Sequence, residues 1–91
     1  MREPDPTDIV ARFIIDGRLV TMPTKRSKRL LVLDRIAQEF ELGRTYPEAE
    51  VNEVLRGYHD DYAALRRYLV DEAFLTRDGG VYWRIGGTVE V

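Results

Sequence analysis

Residues 45–85 read TYPEAEVNEVLRGYHDDYAALRRYLVDEAFLTRDGGVYWRI and contain two adjoining helices followed by a hairpin. The first helix has apolar residues at the three- and four-residue spacing of one helical face, namely Val51, Val54, Leu55 and Tyr58. The second begins at the N-cap Asp60 or Asp61 and continues to about Ala73 with a similar apolar face. Because only about two to four residues connect them, these helices must turn sharply, as in a helix-turn-helix.

The start of the first helix carries two signals. Thr45 and Glu48 have the spacing of a capping box, and Pro47 is tolerated in a first helical turn. Tyr46 also stands where a short strand often joins the sheet of a winged-helix domain. We therefore expect the helix to open near Thr45, with Tyr46 as the candidate third strand.

The apolar period then changes from helical spacing to alternation. Two short strands, residues 74–77 and 81–85, flank a glycine-containing turn that accepts positive φ. In the second strand the apolar residues alternate: Val81, Trp83 and Ile85. We expect this face to pack on the helices, with Trp83 seating the hairpin and Tyr82 and Arg84 on the opposite face.

The N-terminal part is predicted to be less regular. Charges and two prolines make residues 1–6 a disordered leader. Thr7 or Asp8 can cap a short helix that ends at Asp16-Gly17, and an extended piece then reaches Pro23. A long helix with one apolar face follows over residues 24–40.

The length and composition suit one compact domain: 91 residues, 44% hydrophobic and 33% charged. Residues 7–91 are thus predicted to form a single α+β domain of the winged helix-turn-helix type. It has three main helices, a C-terminal β-hairpin and a short N-terminal helix. The chain has no cysteine and no long apolar run, which favours a cytoplasmic protein without a membrane partner.

Charge is unevenly spread, although the net charge is only −2. Residues 24–36 carry +4, and their basic block is Lys25, Arg26, Lys28 and Arg29. Residues 37–61 carry −5. Two interpretations of the block stay open: its side chains bind phosphates at a helix N-terminus, or the acidic residues of 48–53 neutralise it within the fold or across a dimer.

Three further arginines are candidate DNA contacts. Arg67 lies nearly opposite the apolar face of its helix and is the better candidate for reading a DNA groove. Arg77 and Arg84 flank the hairpin and are placed to reach phosphates. Arg66 borders the apolar face, where we expect it to pair with a carboxylate such as Asp61 or to extend past the core.

Catalytic and metal-binding patterns are not found in the sequence. His59 is the single histidine, Ser27 is the single serine and lies far from it in sequence, and there is no cysteine. Zinc and nucleophilic sites need several converging groups of these kinds. We therefore expect no catalytic residue, no metal site, no cofactor and no enzymatic activity.

The order of several short motifs resembles an uncharacterised bacterial domain family. These are Glu50-Val51-Asn52, HDD at 59–61, LRRxLVD at 65–71 and YWR at 82–84. The resemblance spans about three quarters of the chain. Members occur alone or appended to ArsR-like winged-helix regulators, so the resemblance implies a domain associated with transcriptional regulation, with no reaction or ligand attached.

Two functional hypotheses follow. In the first, the domain binds double-stranded DNA with Arg67 in the major groove and the basic block, Arg77 and Arg84 on phosphates. In the second, it is a protein-interaction or dimerisation domain that reuses the winged-helix shape and pairs its basic segment with an acidic one.

Overall fold

The computed structural model describes residues 5–89, which form four helices and five short strands. In chain order these are α1 (Pro6–Phe13), β1 (Ile14–Ile15), β2 (Arg18–Leu19), α2 (Arg26–Ala37), β3 (Thr45–Pro47), α3 (Glu48–Arg56), α4 (Tyr62–Asp71), β4 (Leu75–Asp78) and β5 (Val81–Arg84). No helix in this part of the chain has the length and apolarity needed to cross a membrane.

The C-terminal sheet is antiparallel, with strand order β3-β5-β4. Tyr46 pairs with Tyr82, and Leu75 pairs with Arg84. Together with α2, α3 and α4, this sheet gives an α+β fold of the winged helix-turn-helix type. The predicted fold class and the third strand at Tyr46 are therefore confirmed.

The corner between α3 and α4 is formed by residues 57–61, one residue longer than the longest connection predicted. Gly57 ends α3, and the Asp61 side chain caps α4 by accepting a hydrogen bond from the backbone N–H of Ala64 at 3.2 Å. The ring Nδ1 of His59 accepts a hydrogen bond from the backbone N–H of Asp61 at 2.9 Å. His59 thus serves the turn that positions the cap.

The C-terminal end of α4 is a Schellman motif. The N–H of Phe74 donates to the carbonyl of Leu69 at 2.9 Å, and the N–H of Ala73 donates to Val70 at 3.1 Å. Ala73 adopts a φ of 62°, the left-handed region that glycine usually supplies at this position. The helix therefore ends at Asp71, two residues earlier than the apolar spacing predicts.

The predicted capping box at the start of α3 is wrong. Thr45 pairs with Trp83 in the sheet, and Pro47 occupies the N-cap without a side-chain hydrogen bond. Tyr46 is 3% exposed and packs edge-on against Phe40, with ring centroids 5.1 Å apart. Burial of this ring explains why residues 45–47 join the sheet and the helix begins only at Glu48.

The N-terminal boundaries also differ from the prediction. Asp5 caps α1 by accepting a hydrogen bond from the N–H of Thr7 at 2.8 Å, so the helix begins at Pro6. The rest of the predicted leader, residues 1–4, lies outside the described residues. Helix α1 ends at Phe13, and Asp16-Gly17 forms the tight turn of a small β1–β2 hairpin, with φ values of 52° and 78°.

The long helix is shorter than predicted, since α2 runs from Arg26 to Ala37. It nevertheless supplies the centre of the core, because Val32, Leu33 and Ile36 are completely buried. They belong to a core cluster that also contains Phe40, which follows α2, and residues of α3, α4 and the sheet: Tyr46, Val51, Leu55, Leu65, Leu69, Leu75 and Tyr82. The hairpin is thereby fixed against all three main helices.

The predicted facing of the hairpin is wrong, because Tyr82 and Arg84 point inward. Tyr82 is 1% exposed and Arg84 is 8% exposed, whereas Val81 and Ile85 are exposed and Trp83 is half-buried. Arg84 donates to the carbonyls of Gly86 at 2.8 Å, Phe40 at 3.2 Å and Thr88 at 2.6 Å. These bonds satisfy the buried guanidinium, so Arg84 is not placed at the surface, where the predicted phosphate contact requires it.

Candidate nucleic-acid interface

A groove of about 280 Å³ separates α4 from the β4–β5 hairpin. Its basic side chains come from both elements: Arg66 and Arg67 from α4, and Arg77 from β4. Ala63 and Val70 add a small apolar surface. The structure thus brings Arg67 and Arg77, two of the predicted DNA contacts, to one site and adds Arg66 to them.

The groove rests on a network of polar side chains around Tyr82. The Tyr82 hydroxyl donates to Oε1 of Glu48 at 2.8 Å and accepts from Nη1 of Arg77 at 3.3 Å. Nε of Arg66 lies 3.8 Å from the same Glu48 oxygen, and Nη1 of Arg66 donates to Oδ1 of Asn52. The network therefore joins the hairpin to α3 and α4.

The electrostatics of the network favour the charged form of Arg77. The hydrogen bond to Tyr82 raises the pKa of Arg77 above its ordinary value, and the negative charge of Glu48 acts in the same direction. Arg77 is also exposed. It thus presents a permanent positive charge at the edge of the hairpin.

The sequence led us to expect that Arg66 pairs with a carboxylate such as Asp61, but Asp61 is not its partner. Its partners are Asn52 and Glu48 on α3, because Asp61 caps α4 and Arg66 points toward the neighbouring helix. The polar residue Asn52 in the middle of an amphipathic helix was the available signal. Asp60 is engaged elsewhere, since Arg18 donates to it at 2.9 Å and to the carbonyl of Arg56 at 2.7 Å.

The basic block lies beside the C-terminal end of α4. Nε of Arg26 is 3.1 Å from Oε2 of Glu72, and the Arg29 guanidinium lies 5.6 Å from the centre of the Tyr68 ring. Within residues 5–89, Lys25 and Lys28 have no carboxylate at salt-bridge distance. These two lysines are therefore the cations of the block that are available to an external anion.

The acidic stretch does not neutralise this block within the fold, contrary to one of the two interpretations. Glu50 pairs with Arg44 and Glu53 with Arg56, each at 2.7 Å, while Glu48 belongs to the Tyr82 network. The reason is spatial: the start of α2 contacts α4, whose Glu72 supplies the neutralising carboxylate. Arg26 and Glu72 are 46 positions apart in the sequence, and nothing in the local pattern indicated that they pair.

The predicted DNA contacts thus fall into two groups at opposite flanks of α4. Arg67 and Arg77 line the groove on the hairpin side, and the basic block lies on the α2 side. Arg84 belongs to neither group. As for metals, no cluster of three or more His, Cys, Asp or Glu side chains placed to hold an ion occurs among the described residues.

These features define the class of protein: a small winged-helix-like α+β domain with a basic groove between its last helix and its hairpin. The chain belongs to a bacterial family described as "uncharacterized protein conserved in bacteria" (DUF2087), which matches residues 18–84. The match confirms the family resemblance noted in the sequence and contains the groove and the basic block. Neither a curated protein nor a solved structure matches the chain.

Proposed function

We propose that this domain binds double-stranded DNA, with α4 in the major groove. The observation that supports the proposal is the position of Arg67, which is exposed on α4 and lines the groove with Arg77, while the basic block lies on the other flank of the helix. Arg67 makes no salt bridge within residues 5–89. Its guanidinium is free to make the bidentate contact with a guanine edge that is typical of major-groove recognition.

The flanking cations bind phosphates in this proposal. Arg77 reaches the backbone on the hairpin side, and Lys25 and Lys28 reach it on the α2 side. Ala63 lines the groove on the same side of α4 as Arg67, and its short side chain permits a close approach to the duplex.

Most acidic residues around α4 are engaged in contacts with other parts of the protein. Asp60 pairs with Arg18, Asp61 caps the helix and Glu72 pairs with Arg26. Asp71 is exposed and lines the groove, where its negative charge partly offsets the charge of the three arginines. The surface that faces the duplex is therefore more positive than the net charge of the chain suggests. In this proposal the domain is non-catalytic, needs no cofactor and acts in the cytoplasm.

Fluorescence anisotropy with a labelled random duplex tests the proposal. Counterion release predicts that binding, measured from about 50 mM salt upward, weakens steeply, with a slope of about −0.9 per phosphate neutralised. The double variant Lys25→Glu, Lys28→Glu should flatten this slope, whereas Arg12→Glu on α1, a single charge reversal away from the groove and the block, should flatten it by less than half as much. Absence of binding at about 50 mM salt contradicts duplex binding.

A second function, protein interaction or dimerisation, is favoured by the outward face of the sheet. Val81 is 40% exposed and Ile85 is 52% exposed, with the half-buried Trp83 between them. Apolar side chains clustered in this way are typical of interaction surfaces. Sedimentation velocity over a range of protein concentrations distinguishes the two functions: self-association that Val81→Thr abolishes supports dimerisation, and a monomer that still binds duplex supports DNA binding.

A further inference from the structure

We infer that the groove between α4 and the hairpin is a binding site for a single phosphate group, and that Glu48 is a built-in competitor for that site. The phosphate is held by Arg66, Arg67 and Arg77 in this inference. This site goes beyond duplex binding, because a free phosphate or a phosphorylated small molecule can fill it as well as the DNA backbone.

The first support is the number of hydrogen-bond donors that the groove leaves unused. Arg77 spends one N–H on the Tyr82 hydroxyl, and Arg67 makes no salt bridge within the described chain. A guanidinium presents several N–H donors in a fixed planar fork that matches phosphate oxygens. Donors from α4 and from β4 therefore face the same space.

The second support is the loose contact between Arg66 and Glu48. Their Nε and Oε1 atoms are 3.8 Å apart, longer than the ~2.8 Å of a charge-assisted hydrogen bond. By contrast, the N···O distance is 2.7 Å in both Arg44–Glu50 and Arg56–Glu53. Glu48 is held by the Tyr82 hydroxyl instead, and Arg66 is held by Asn52. Arg66 thus keeps N–H donors that an oxyanion with better geometry can bind.

The size of the groove limits the ligand. Its volume of about 280 Å³ is just below the lower end, ~300 Å³, of the usual range for small-molecule pockets. Three arginines face one aspartate, Asp71, in its lining. A phosphate group with a small substituent fits both the volume and the positive charge, whereas a large cofactor does not.

A titration of the isotope-labelled protein with inorganic phosphate tests the site. Ionic strength and pH are held constant by replacing chloride, and the arginine Nε–H and backbone amide signals are followed. We expect saturable shifts confined to the groove. Arg77→Gln, at an exposed position, should weaken phosphate binding about tenfold, and Glu48→Gln should strengthen it roughly two- to fivefold.

The matched control is Arg35→Gln. This variant also removes one positive charge and one weak contact. The contact joins Arg35 to Glu39 on α2 at 3.5 Å, away from the groove. The variant should leave the phosphate titration unchanged. Shifts that are linear in phosphate, or that are equal in wild type and Arg77→Gln, overturn the site.

A second experiment, with a short DNA duplex present, distinguishes the two sources of phosphate. If inorganic phosphate displaces a short duplex from the Arg66 and Arg77 signals, a backbone phosphate of DNA uses this site. If phosphate saturates the groove but the wild-type protein binds no duplex, the site stands for free phosphate or a phosphorylated small molecule, and only the proposed DNA binding fails.

Discussion

The Tyr82 hydroxyl donates a hydrogen bond of 2.8 Å to the carboxylate of Glu48, and this contact joins the centre of the hairpin to the first turn of α3. The Tyr82 ring is buried, while its hydroxyl also accepts from Arg77. One side chain therefore fills the core and contacts both Arg77, a cation of the groove, and the carboxylate of Glu48. This residue therefore helps to hold the hairpin against α3.

Replacing Tyr82 by phenylalanine is expected to lower the free energy of unfolding by about 1 kcal/mol. The ring remains, but Glu48 loses its donor and Arg77 loses its acceptor. Urea unfolding followed by circular dichroism measures the change. Tyr68→Phe, which alters an exposed ring on α4, serves as the control and should change stability by less. Equal effects of the two variants would show that the hydroxyl of Tyr82 is not structural.

Arg84 is expected to support the fold and not to bind DNA. Its three backbone carbonyl contacts span Phe40, Gly86 and Thr88, a geometry that lysine cannot reproduce. Arg84→Lys should therefore lower the free energy of unfolding by about 2–4 kcal/mol. The matched variant Arg77→Lys, at an exposed position, should change it much less. Comparable stabilities of the two variants would contradict the buried role of Arg84.

Gly86 is expected to tolerate no side chain. A Cβ atom there would lie 2.5 Å from the carbonyl oxygen of Ala73, in the left-handed turn that ends α4. Gly86→Ala should cost about 1–3 kcal/mol because backbone must move. Gly80→Ala is the control, since a Cβ at Gly80 meets no atom within 4 Å. Thermal unfolding compares them, and a Gly86→Ala protein as stable as Gly80→Ala would contradict the close packing.

The stability of the domain is expected to fall in strong alkali because of Tyr58. Burial, followed by the hydrogen bond to Glu39, raises the pKa of Tyr58 from 10.0 to about 12. A raised pKa means that the folded state retains the proton. Its contribution to stability is complete below pH 10 and is lost as the pH rises to about 12.

The variant Tyr58→Phe checks this titration. Its free energy of unfolding, measured in urea, should depend less steeply on pH between pH 10 and about 12 than that of the wild type. Tyr68→Phe removes an exposed tyrosine and should keep the wild-type slope. Identical slopes in all three proteins would assign the alkaline loss of stability to another group.

The helical elements were predictable because their information is local. The spacing of Val51, Leu55, Leu65 and Leu69 fixes the buried faces of α3 and α4, and the cap at Asp61 follows from its position. Element ends were less predictable. Thr45 has the spacing of a capping box, yet sheet pairing and burial of the Tyr46 ring determine its conformation.

The facing of the hairpin was not predictable from alternation alone. Period-2 alternation separates Val81 and Trp83 from Tyr82 and Arg84 but does not say which set is buried. Hydropathy favours the first set, and the structure buries the second because distant carbonyls and Glu48 satisfy its polar atoms. The exposed position of Arg67 followed from local helical spacing, whereas the contacts of Arg66 depend on how α3 packs against α4 and did not.

Amide chemical shifts of the labelled protein during titration with a random DNA duplex test most directly whether α4 and the hairpin form a DNA-binding face. DNA binding through this face predicts shifts centred on Arg67, Arg77 and residues 25–29, which weaken as salt is raised. Shifts confined to the outward sheet face around Val81 and Ile85, or no shifts at about 50 mM salt, would contradict it.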